Sequence, residues 1–306
     1  MEVEIVKFFQ KISNSFHDVF FELITRMGEE TFFLIIFAGL YICYNKFFAV
    51  KYTFYYLISV GINSLVKGII RRPRPYEISS EIINRLPASN YSFPSGHTQG
   101  YFVQATMIMN EINVKSEREK LKITSLVCLS IFGLFVMISR LYWGQHFATD
   151  VIAGMMFGLT IPFVLDFLIG LIPKEWKNKL TEERIFFIIG VLCLIVTSVF
   201  IALEIGINFS SRKVYKFLGV LLAMSVGYFV DLKFIKYQPN QGWMWGIIKF
   251  FISTIVLVGM YLLLTLFIPV KGYFCFLVYF ILGIMATIVL PLIFKLLIIV
   301  QFLKKK

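Results

Sequence analysis

Over residues 4–27 the chain repeats with helical period. Ile5, Phe8, Phe9, Ile12, Phe16, Val19, Phe20, Leu23, Ile24 and Met27 fall on one stripe, while Glu4, Lys7, Lys11, His17, Asp18, Glu22 and Arg26 fall off it. That pattern predicts an amphipathic helix lying in a membrane interface, with His17 on its polar face. Farther on, the period gives way to long apolar runs separated by short charged segments. They predict spans near residues 31–44, 52–70, 97–109, 123–141, 147–171, 185–203, 214–230, 243–268 and 273–303, nine in all. A full crossing takes ~20 residues, so the first and third are short. The expected fold class is all-α: a polytopic transmembrane helical bundle with an N-terminal interfacial helix. Residues 1–28 form that helix, 29–172 a core bundle, and 173–306 additional spans.

Composition agrees. Of 306 residues, 58% are hydrophobic and only 16% charged, which is too apolar for a soluble domain of this length. The net charge of +12 is read as loop charge facing anionic lipid headgroups. No basic stripe on a soluble face points to nucleic acid. Cys43, Cys128, Cys193 and Cys275 stand singly in apolar runs, without metal or disulfide spacing. The opening MEVEIVKFFQ is acidic and broken by charge, unlike a cleavable signal peptide. Loop Lys and Arg are more numerous on the side of the carboxyl end, which predicts a cytoplasmic tail. Glu204, Asp231 and Lys249 are read as side chains snorkelling from span ends.

Charge inside the apolar region changes the picture, because ionisable groups at membrane depth are costly and mark function by default. Ser139 to Asp150 carries Arg140, His146 and Asp150 between two apolar runs. His146 and Asp150, four residues apart, share a helix face, where the carboxylate can hold one ring nitrogen and leave the other nucleophilic. Arg140 can hold an anion before that nitrogen. Lys67 lies two turns before the break at Pro73 and Pro75, deeper than headgroup contact explains, whereas Arg71 and Arg72 are read as headgroup contacts. Pro94-Ser95-Gly96-His97 opens an apolar run, with Ser95 as N-cap and the first-turn amides as an anion site. In this topology all three segments reach one membrane surface. It collects Lys67, Arg74, Ser95, Gly96, His97, Arg140, His146 and Asp150, a set suited to a phosphate monoester or diphosphate.

These residues resemble the type-2 phosphatidic acid phosphatase family, which shares its site with vanadium haloperoxidases. The family pattern is Lys, six residues, Arg-Pro; then Pro-Ser-Gly-His; then Ser-Arg, five residues, His, three residues, Asp. Here it is met by Lys67 with Arg74-Pro75, by Pro94–His97, and by Ser139-Arg140 with His146 and Asp150. The resemblance covers residues 50–170. It implies a membrane-embedded phosphatase in which His146 forms a phosphohistidine and Asp150 fixes its tautomer. His97 would serve as acid and then base, with Lys67, Arg74, Arg140 and the amides near Ser95 and Gly96 neutralising the phosphoryl group. No metal or other cofactor is expected, and the site would face outside. The expected partners are a phosphorylated lipid substrate and membrane lipids, with helix 4–27 and loop 76–93 framing a lateral entrance. Placing the first motif on the second span is similar to glucose-6-phosphatase, which keeps a sugar phosphate open as substrate. A non-catalytic lipid-binding or transport protein is the alternative of another class.

Overall fold

The computed structural model describes residues 2–86, 90–173, 212–239, 242–269 and 272–303, and isolated positions between 175 and 195. The described elements are helical. They are α1 (Glu2–Lys11), α2 (Ser15–Arg26), α3 (Glu30–Gly39), α4 (Lys46–Ile70), α5 (Pro75–Ile78), α6 (Gly96–Lys115), α7 (Glu119–Tyr142) and α8 (Ala148–Gly170). Then come α9 (Arg212–Val230), α10 (Trp243–Phe267), α11 (Phe274–Ile284) and α12 (Leu290–Leu303). π-helical turns occupy Leu40–Tyr44, Asp231–Ile235 and Met285–Val289.

Among the described residues six helices are long and apolar enough to cross a membrane, or seven if the bent pair Ser15–Arg26 and Glu30–Tyr44 is one span. The protein is an integral membrane protein. The run at 185–203 lies outside the described residues. The run at 97–109 is the middle of α6, which is long enough to cross but lacks the hydropathy. Thr98, Gln99, Gln104 and Thr106 make it polar, and all are buried. The half of α6 from Thr98 to Met107 is walled off by protein, so it has no need of an apolar surface.

The N-terminal stripe also folds differently from the single helix expected over 4–27. Asn14 breaks it: its side chain accepts from the His17 amide at 2.9 Å and caps α2. The two resulting helices pack on protein. Val6 joins Ile82, Leu141, Phe147 and Val151, and Ile24 joins Tyr101, Phe102, Ala105 and Val136. Val6, off the stripe, and Ile24, on it, thus supply core contacts to α6, α7 and α8, while Phe8, Ile12, Phe16, Val19 and Leu23 of the stripe stay exposed.

The chain divides into two units: residues 1–34 with 54–171, and residues 35–53 with 172–306. In the first, α6 and α8 touch closely because Gly154 and Gly158 face it, four residues apart. A Cβ on Gly154 would come 2.6 Å from the Ser95 carbonyl oxygen, and one on Gly158 2.8 Å from that of Gln99. Small residues at this spacing let membrane helices approach. In the second unit Gly219 lets α9 lie against α11 in the same way, where a Cβ would meet the Phe276 carbonyl oxygen at 2.5 Å. That unit also buries Asp231, which accepts from Lys46 Nζ at 3.0 Å, Tyr41 Oη at 2.9 Å and the Tyr237 amide at 2.9 Å. Lys249, equally buried, bonds to Tyr237 Oη at 2.9 Å and the Pro239 carbonyl at 2.7 Å. Asp231 and Lys249 are therefore interior groups rather than snorkelling ones.

Candidate active site

Five elements of the first unit bring polar side chains to one end of the bundle. His146 is in the turn between α7 and α8, where Gly144 takes φ +67°. Side-chain Cβ atoms disfavour that conformation, and a Cβ here would also meet Gln10 Nε2 at 2.7 Å. The turn buries His146 to 2% exposure. Burial first, then the charges of Lys67, Arg140, Arg74 and His97, hold its pKa well below the usual 6.5. The imidazole is therefore neutral at pH 7.

The three expected cations are buried too. Lys67, near the end of α4, donates to the carbonyls of Tyr91 at 2.6 Å and Ser92 at 3.1 Å. Arg74 bonds through Nε to the Asn90 carbonyl and through Nη1 to that of Gln145, both at 2.9 Å. Arg140 donates from Nη1 to Thr25 Oγ1 at 2.6 Å, and its Nε has no hydrogen-bond partner. All three act on the charge of His146.

Asp150 sits otherwise than the helical spacing suggests. Its Oδ2 lies 3.6 Å from His146 Nδ1, an ion-pair distance but too long for a hydrogen bond, and Nδ1 has no hydrogen-bond partner. The carboxylate instead accepts from the Phe147 amide at 2.8 Å, from the Ser92 hydroxyl, and from Arg72 Nη1 at 2.8 Å. It closes the first turn of α8 and ties loop 90–92 to it. Ser95 caps α6 as expected, its oxygen accepting from the Thr98 amide at 3.4 Å. Its own N–H, however, is taken by the Asp150 carbonyl at 2.9 Å, so that amide is not open to an anion. Gly96 follows it as the first residue of α6, with Asn63 Oδ1 3.3 Å from where a Cβ would stand. His97 is partly exposed, and its Nε2 is 3.9 Å from Glu29 Oε1.

Arg72, read from the sequence as a headgroup contact, is part of this network. It bonds Asp150, Thr149 Oγ1 at 2.6 Å and Glu2, and its guanidinium lies 4.2 Å from the centre of the Phe147 ring. Nothing in the doublet Arg71-Arg72 distinguishes it, since Arg71 turns back to its own helix and bonds the Gly68 carbonyl at 2.8 Å. Thr25, Glu29, Ser92 and Glu2 were equally invisible, because each meets the site across a large separation in sequence. Among the described residues no three His, Cys, Asp or Glu side chains are grouped to hold a metal ion.

Fold and site together define a polytopic helical membrane protein with a buried site of net positive charge around a neutral imidazole. The chain matches the PAP2 superfamily over residues 48–166, and the PAP2 superfamily phosphatase transmembrane extension over residues 215–302. It belongs to the PAP2 superfamily, and the first match spans every motif residue from Lys67 to Asp150. The chain is 28% identical over 150 residues to the phosphatidylglycerophosphatase B of Bacillus subtilis, covering 46% of this chain and 70% of that protein. It is 27% identical over 168 residues to a probable sphingosine-1-phosphate phosphatase of Dictyostelium discoideum, covering 52% and 40%. It is 26% identical over 139 residues to the dolichyldiphosphatase of Saccharomyces cerevisiae, covering 43% and 57%. Of these last two relatives it therefore spans well under two thirds of the length.

Proposed function

We propose that this protein is a membrane-embedded, metal-independent phosphatase that hydrolyses a lipid phosphate or lipid diphosphate through a phosphohistidine on His146. The observation that carries this reading is a buried imidazole, His146, whose electrostatic neighbours are three buried cations and a second imidazole. A neutral ring is a nucleophile, and fixed cations stabilise the charge that develops on a transferring phosphoryl group. The relatives' names, phosphatidylglycerophosphatase and dolichyldiphosphatase among them, support a lipid as the substrate.

In the first step Nε2 of His146 bonds to phosphorus, the ester oxygen departs, and a proton on His97 passes to it. Asp150, across 3.6 Å, offsets the positive charge on the phosphorylated ring. In the second step His97 takes a proton from water, the new oxygen bonds to phosphorus, and the P–N bond breaks. Lys67, Arg74 and Arg140 supply the charge that a magnesium ion would otherwise provide. In this reading residues 29–172 are the catalytic core and 173–306 added spans. Nine crossings, α6 and 185–203 included, would set the site on the external face and the carboxyl end in the cytoplasm.

Phosphate release from detergent-purified protein tests this directly, with a glycerophospholipid monoester, a prenyl diphosphate and a soluble sugar phosphate, each with and without EDTA. Release from a lipid substrate, unchanged by EDTA, is expected, with acid-labile label on His146 in quenched reactions. Turnover confined to the sugar phosphate would move the substrate class. No turnover would leave a lipid-binding or transport protein, and rescue of an EDTA-treated enzyme by magnesium would end metal independence.

A further inference from the structure

We propose that Glu29 is a positioning residue for His97, orienting its ring and stabilising its protonated form; this rests on the phosphatase reading above. Glu29 is in the turn between α2 and α3, where the two helices bend by 56°. Backbone bonds fix that turn on both sides, from the Glu29 amide to the Arg26 carbonyl at 3.0 Å and from the Phe33 amide to the Glu29 carbonyl at 3.2 Å. Gly28, just before it, is pressed against His97. A Cβ there would come 2.5 Å from the His97 carbonyl oxygen and 2.9 Å from its Cα, so only glycine fits. This close approach of two backbones carries the next side chain to the imidazole, Glu29 Oε1 to His97 Nε2 at 3.9 Å.

The chemistry gives the contact a purpose. A general acid must hold a proton until the leaving oxygen needs it. Cations placed for a phosphoryl group work against that, as at His146, where they add to burial in lowering the basicity of the ring. The groups that act on this pair are Arg26 on α2 and Arg140 on α7, which face Glu29, and His146 in the turn before α8, which faces His97. All but the second imidazole are cations. Glu29 opposes them, and its own carboxyl is held below the usual carboxylate range, chiefly by His97. With Nε2 turned to Glu29, Nδ1 is the atom that gives its proton to the leaving oxygen and later takes one from water. None of this was legible in the motifs, since Glu29 belongs to a segment outside them.

The experiment is the pH profile of kcat/KM for release of phosphate from a lipid phosphate in detergent, comparing wild type, Glu29→Gln and Glu29→Asp. The descending limb reports the acid. In Glu29→Gln it should move to lower pH by about 0.5–1 unit, a shift kept small by the partial exposure of the pair. Glu29→Asp, which keeps the charge, should restore part of the shift. A merely structural Glu29 would lower the rate evenly across pH, and that result, or an unmoved limb, overturns the proposal. His97→Ala is the control for the underlying reading. If it keeps full turnover, the acid role of His97 falls and this proposal with it; if it is dead while the Glu29→Gln limb stays put, the proposal alone fails.

Discussion

Asp231 in one unit of this protein and the site cations in the other are satisfied in different ways. In the unit formed by residues 35–53 and 172–306, Asp231 meets Lys46, Tyr41 and the Tyr237 amide, so the carboxylate is neutralised by a cation of its own. In the unit formed by residues 1–34 and 54–171, Lys67 and Arg74 bond to backbone carbonyls and Arg140 to a hydroxyl. Carbonyls and hydroxyls satisfy donors without cancelling charge. The first arrangement cancels its own charge, as Arg72 does for Asp150, and suits a scaffold, although Lys249 is held as the site cations are, by a hydroxyl and a carbonyl. The second keeps a net positive potential directed at one imidazole, and suits an anion. What sets the site apart is that three such cations act on one imidazole.

Three experiments would break or sharpen this contrast. The largest effect belongs to the site: His146→Ala and His97→Ala should each lower kcat by about a thousandfold, in the range expected for a nucleophile or general acid. Near-normal phosphate release from either variant would remove the roles assigned. Next is the scaffold. Asp231→Asn leaves Lys46 without its counter-charge, and removing one member of a buried pair costs about 3 kcal/mol. The expected outcome is a lower melting temperature in detergent with kcat per folded molecule unchanged; an intact melting temperature with impaired kcat would reverse the assignment of the two regions. The smallest effect is on pH dependence. His146 must be neutral to attack, and its pKa is depressed, so the ascending limb of kcat/KM should lie below pH 6.5. Arg140→Gln removes one of the charges that depress it, so the limb should move to higher pH, by about half to one unit. A limb that moves the other way would show that Arg140 does not act on this ring.

Much of the architecture was legible because apolar runs of adequate length have few alternatives in a bilayer. Legibility failed where protein, not lipid, surrounds a helix. α6 carries glutamines and threonines at depth because its neighbours cover it, so its hydropathy understates its length. The N-terminal stripe was read as one helix and is two, and helical periodicity does not tell which apolar positions meet a neighbouring helix, as Ile24 does, and which stay exposed, as Phe8, Phe16 and Leu23 do. Of the site, the motif residues stood out as charge within apolar sequence. Their supports did not, because Arg72, Ser92, Thr25 and Glu29 are ordinary polar residues until folding brings them together. The spacing of His146 and Asp150 predicted a shared helix face and a direct hydrogen bond; His146 instead lies in the turn before α8, and the 3.6 Å gap and three competing donors exclude the bond.

Loop 90–92 has a further consequence for turnover. Its carbonyls accept from Lys67 and Arg74. In the phosphatase reading proposed above, an arriving phosphoryl group would share or displace these bonds, and a departing phosphate would let them re-form. Product would then leave cations that already have acceptors waiting, which would guard the enzyme against being clogged by the ion it liberates.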